Sequence, residues 1–88
     1  MELLKRYHGH VVVLDMVSPY VAVGTLAAHD DHYLDLRNAD IYDLRQSDVT
    51  REAYIEEAKR TGVRPNRDEV LIRREEVLSI AALDEVVS

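Results

Sequence analysis

Residues 10–16, HVVVLDM, contain four consecutive apolar side chains, Val11 to Leu14, and three of these are β-branched. Such residues are stiff at χ1 and fit a pleated strand better than a helix. Successive side chains of a strand point to opposite faces, so Val11 and Val13 lie on one side and Val12 and Leu14 on the other. A strand apolar on both faces has to be covered on both. The run EEVLSIAAL (75–83) has the same character. A chain of 88 residues builds a single domain with a single core. One small barrel has only one inside, so the second apolar face is expected to meet another subunit.

The neighbouring segments extend this reading. Met1 to Tyr7 predicts about two helical turns, with Leu3, Leu4 and Tyr7 as a short apolar face and Gly9 as the stop. After the first strand, VSPY is a turn signal, and Pro19 sits where no N–H donor is needed. YVAVGTLAA is a second strand, in which Gly24 marks a bulge, a sharp bend or a close backbone approach. In YLDLRNADIYDL, Leu34 and Leu36 alternate with Asp35 and Arg37, the pattern of a half-buried strand. SDVTREAYIEEAKRTG (47–62) predicts a helix with N-cap formers Ser47 and Asp48, a narrow stripe of Tyr54, Ile55 and Ala58, and Lys59, Arg60 and Gly62 at its end. EVLIRREEVLSIAAL then reads as two strands joined by a very tight turn at RREE. Five strands with so little helix cannot cover a flat sheet. They predict a mainly β fold, a small, strongly bent five-stranded barrel with a short N-terminal helix and an inserted helix.

Charge narrows the function. The net charge of -6 argues against a simple polyanion binder, yet Lys59 to Arg74 holds six of the eleven basic residues and only two acids. This split predicts a localised positive patch facing RNA or an acidic neighbour. The chain has no cysteine, so disulfides and Cys-based zinc sites are excluded, in keeping with a reducing compartment. No apolar run has the length of a membrane span, and MELLKRYHGH lacks a signal-peptide core, so a cytoplasmic protein is expected.

The cluster HDDH, His29 to His32, is the most polar feature of the β region. As a metal site it would use His29, His32 and flanking aspartates, with His8 and His10 as further ligands. A strand or loop does not hold i, i+3 side chains together as a helix does, and no H-E-x-x-H pattern is present. The reading adopted is a polar turn between two strands, with Asp30 capping the loop backbone. No metal or cofactor is expected. The serines lack a nucleophile-elbow context and no Gly-rich phosphate loop exists, so the chain is read as a binding protein and not an enzyme.

Two ordered patterns resemble the Sm-like (LSm) superfamily. VVVLDMVSPYVAVGTLAAHDDHYLDL is similar to its first motif, with Gly24 at the family glycine and Asp30 at the loop aspartate. VLIRREEVLSI is similar to the second, with Ile72 and Arg73 matching an IRG turn. The resemblance covers the first 44 residues or so and then 70–83, with the helix 47–62 in the family's variable loop. It implies one Sm-like domain over 1–88, in an SH3-like barrel that assembles into homo-oligomeric rings, commonly of six or seven subunits, by pairing the fourth strand with a neighbour's fifth. It also implies single-stranded RNA at the pore, with His32 at the base-stacking position and Arg73 at the turn arginine. Asp30 and Arg74 complete the candidate RNA-binding set. Leu34 stands where the family has a base-reading Asn, Arg74 replaces the turn glycine, and Glu75 and Glu76 follow it, so uridine specificity is not carried over. The alternatives are an oligomeric scaffold that binds protein through the inserted helix or the Arg64–Arg74 segment, and a monomeric SH3-like interaction module.

Overall fold

The computed structural model describes residues 2–46 and 48–87. Strands β1 (Val11–Met16), β2 (Tyr20–His29), β3 (Tyr33–Asp43), β4 (Arg67–Arg73) and β5 (Val77–Ala82) form one antiparallel sheet in the order β4-β3-β2-β1-β5. The β1–β2 turn runs through Pro19, whose carbonyl accepts from the Leu44 N–H at 2.9 Å.

The sheet curls because its longest hairpin is bulged twice. Between Val23 and Thr25 the β3 side advances from Asp40 to Arg37, one residue more than β2, and Asn38 takes up the excess at φ 50°. Between Leu26 and Ala28 the extra residue is on β2. Each bulge bends and twists its strand. Gly24 lies at the first of them, where a β-carbon would fall 2.8 Å from Ala39 Cβ and 2.9 Å from Ala39 Cα. Of the alternatives read from the sequence, Gly24 thus meets two: it lies at a bulge and at a close backbone approach to β3.

Bending brings the two edges of the sheet to one interior. Val12 and Leu14 of β1, Leu26 of β2, Leu34 and Leu36 of β3 and Ile72 of β4 share a core against which Val77 and Ile80 of β5 also pack. A flat sheet would hold β4 and β5 apart with three strands between them. They are joined by the 3-10 turn Arg74–Glu76, yet among the described residues β4 pairs only with β3 and β5 only with β1. The expected tight turn is present, but its two strands are the edges of the sheet, not a paired hairpin.

The outer face of β1 corrects an expectation. Val13, Val21 and Val23 are buried there by the chain itself, against Ala58 and Leu83, with Tyr42, Tyr54, Ile55 and Val86 packed around them. Helix α1 (Arg51–Thr61) and the 3-10 turn Leu83–Glu85 supply this cover, so no second subunit is needed to explain the doubly apolar run. Burying each valine contributes about 1.5–3 kcal/mol. Tyr54 fixes the helix by stacking on Tyr42 (centroids 4.6 Å apart, planes 13° apart) and donating its hydroxyl to Asp40.

Both helical segments differ from expectation at their starts. α1 is capped by Thr50, whose Oγ1 accepts from the Ala53 N–H at 3.1 Å, and not by Asp48; Ser47 lies outside the described residues. Its end is as read, with the Gly62 N–H donating to Ala58 O at 2.9 Å and φ 91° at the glycine. The N-terminal segment is a 3-10 helix, Leu3–Tyr7, and Met1 lies outside the described residues. A three-residue period aligns Leu4 with Tyr7 on the core and leaves Leu3 66% exposed. Among the described residues, no helix is long and apolar enough to cross a membrane.

Candidate functional site

The β2–β3 loop is held by Asp30. Its Oδ1 accepts from the backbone N–H groups of His32 (2.8 Å) and Tyr33 (2.7 Å), while its own N–H donates to Tyr33 O at 3.0 Å. These two bonds hold the Asp30 carboxyl below the usual carboxylate range, with smaller contributions from the charges of His32 and Arg74. The polar turn read from HDDH is thus present, and Asp30 caps it.

Arg74 joins this loop to the β4–β5 turn. Its backbone N–H donates to His32 O, and its guanidinium to Asp30 O, both at 2.8 Å. The junction leaves an open hollow of about 340 Å³ lined by Asp31, His32, Tyr33, Arg73, Arg74 and Glu75. Residues 44 positions apart in sequence are therefore first neighbours here. His32 is exposed. The Arg73 guanidinium pairs with the Glu75 carboxylate, both side chains being largely exposed.

Of the sequence-derived set, His32, Arg73 and Arg74 line the hollow, and Asp30 stands behind it as the anchor of the loop. Leu34 is 2% exposed and points into the core, so its position offers nothing to a ligand. The sequence reading missed Tyr33, which is 41% exposed and lines the same hollow beside His32. The strand alternation that turned Leu34 inward already placed Tyr33 outward, next to a candidate stacking residue.

The other histidines go elsewhere. His29 ends β2, and its Nδ1 lies 2.7 Å from His8 Nε2, with Glu2 at 3.9 Å from its Nε2. This contact staples the N-terminal turn to β2. His10 lines a different hollow with Arg6, Tyr7 and Asp84. Among the described residues, no group of three or more His, Asp or Glu side chains is arranged to hold a metal. Part of the predicted positive patch is spread along β4. Arg67 and Arg73 are at opposite ends of β4, about 20 Å apart at strand rise. Arg67 donates to Asn66 O, and Arg73 and Arg74 are taken up at the hollow.

Comparison with solved structures places this architecture. The chain superposes on a Pyrococcus abyssii Sm protein, solved in complex with a uridine heptamer, with a TM-score of 0.62 over 91% of this chain and 92% of that one. The fold is Sm-like. Sequence identity over the match is 18%, so the similarity lies in backbone architecture. No family model and no curated protein matches the chain. Within the Sm-like frame, α1 is the insertion after β3, and the hollow lies between the loops that follow β2 and β4.

Proposed function

We propose that this chain is a ring-forming protein that binds single-stranded RNA at the hollow between the β2–β3 loop and the β4–β5 turn. The observation that carries the proposal is the convergence of His32, Tyr33 and Arg73 on one open, solvent-accessible hollow. Imidazole and phenol faces stack on bases, and a guanidinium supplies the cation that single-stranded sites combine with stacking. In this reading His32 and Tyr33 form the platform, Arg73 makes the cationic contact, and Asp30 and Arg74 are positioning residues that hold the two loops together. The Sm protein of similar fold was solved with a uridine oligomer, which agrees with this class of ligand.

Assembly is argued from the sheet edges. Among the described residues each edge strand pairs on one side only, and each exposes a large apolar side chain, Leu71 at 57% on β4 and Leu78 at 69% on β5. An exposed apolar edge seeks another strand, and pairing β4 with a neighbour's β5 repeats head to tail until it closes. The competing reading, a ring that scaffolds proteins without RNA, is favoured by the net charge of -6. Fluorescence anisotropy with labelled RNA decides between them. Binding that weakens steeply with salt and is lost in His32→Ala and Arg73→Ala is the expected result. No salt-sensitive binding at micromolar protein refutes it.

A further inference from the structure

We infer that the Arg73–Glu75 pair makes this hollow selective for bases that carry an exocyclic amino group and turns uracil away, with Glu75 as the specificity-determining residue. The inference rests on the RNA-binding reading above and adds the class of base. The hollow presents a guanidinium beside a carboxylate, held together as an ion pair, with the Asp31 carboxylate also in the lining. A carboxylate only accepts hydrogen bonds and a guanidinium only donates them.

Adenine offers its N6 amino group beside the acceptor N1, and cytosine its N4 amino group beside the acceptor N3. Either base meets the pair with the amino group on Glu75 and the ring nitrogen on Arg73. Guanine meets it in the opposite sense, with N1–H and N2–H on Glu75 and O6 on Arg73. Uracil has no amino group, and its single N3–H is flanked by two carbonyl oxygens. Placing that N–H on Glu75 lets one carbonyl accept from Arg73 but sets the other against the carboxylate, where guanine has its N2 amino group and adenine and cytosine have no acceptor. Stacking on His32 and Tyr33 is tolerant of base identity, so discrimination falls to the polar pair.

The test uses the full chain and labelled oligo-A, oligo-C and oligo-U of equal length, read by fluorescence anisotropy at one salt concentration. Oligo-C and oligo-A are expected to bind at least about tenfold more tightly than oligo-U, the usual scale of one well-made base contact. Glu75→Gln supplies an amide that both donates and accepts, so it should bring oligo-U to within about twofold of oligo-C. Glu75 is 64% exposed, so the variant is not expected to disturb folding, and circular dichroism checks this. Oligo-U bound as tightly as oligo-C by the unaltered chain overturns the inference while leaving RNA binding intact, as does a preference unchanged in Glu75→Gln. Absence of binding to all three overturns the RNA-binding reading and this inference with it.

Discussion

Tyr54→Phe tests whether helix α1 is the cover of the outer sheet face. Tyr54 is half-buried, stacks on Tyr42 and donates to Asp40. Burial, followed by the hydrogen bond to Asp40 and that group's charge, raises its hydroxyl well above the ordinary tyrosine value. Phenylalanine keeps the stack and loses the hydrogen bond. Bonds to charged groups contribute about 1.5–3 kcal/mol when well buried, and partial exposure reduces this to about 1 kcal/mol. For a domain of this size that corresponds to a melting temperature about 4–8 °C lower. The pH dependence carries the sharper signature. A group whose pKa is raised on folding contributes stability that is fully present below its unfolded value, about 10 for tyrosine, and lost as pH rises through the folded value. The stability advantage of the unaltered chain over Tyr54→Phe should thus be constant from neutral pH to about 10 and shrink above it. Urea titrations followed by circular dichroism across that range measure the difference. If the two proteins lose stability in parallel above pH 10, or are equally stable at neutral pH, Tyr54 does not anchor α1 and the account of the outer face is wrong.

Three other perturbations address the bend, the loop and the edges. Gly24→Ala forces a β-carbon onto Ala39 and should destabilise the chain by about 1–3 kcal/mol in denaturant titrations, whereas unchanged stability would mean that β2 and β3 are not in close contact there. Asp30→Ala removes the acceptor of two backbone N–H groups and should lower both the melting temperature and RNA affinity. Because the Asp30 carboxyl is held below its usual range, its contribution is present above that range and lost as pH falls through the folded value. Asp30→Asn should therefore show a shallower acid-side decline than the unaltered chain in melts taken toward low pH. The double variant Leu71→Glu, Leu78→Glu should reduce the mass found by multi-angle light scattering to that of a single chain, with RNA binding weakened in step; an unchanged mass would show that these edges do not assemble the protein.

Much of the architecture is local, and local patterns are what a sequence displays. The strand alternation placed Leu34 and Leu36 inside, and both are fully buried. Lys59, Arg60 and Gly62 announced the end of α1, because a helix dipole and a left-handed glycine act within one turn. Gly24 marked a bulge, a bend or a close approach, and only the folded sheet named Ala39 of β3 as its neighbour. The start of α1 was misplaced for the same reason that it was legible at all. Several good N-cap residues precede it, and which one caps depends on the φ and ψ each adopts.

Val13 shows where that legibility stops. Its position in HVVVLDM established that a second face of β1 had to be covered, since exposed valine is unfavourable whatever the covering group. What covers it is Ala58 and Leu83, brought there by the packing of α1 and the C-terminal turn. Apolar burial is non-directional, so the pattern states the need and not the partner. The candidate site divides in the same way. The resemblance to the Sm-like superfamily marked His32 and Arg73 as candidates, and the polar turn by itself pointed to Asp30 as its cap. Only the curled sheet decided that Arg74 reaches Asp30 and that His29 turns to His8 instead of His32. Those contacts join residues far apart in the chain, and they exist because two bulges close the sheet enough for its loops to meet.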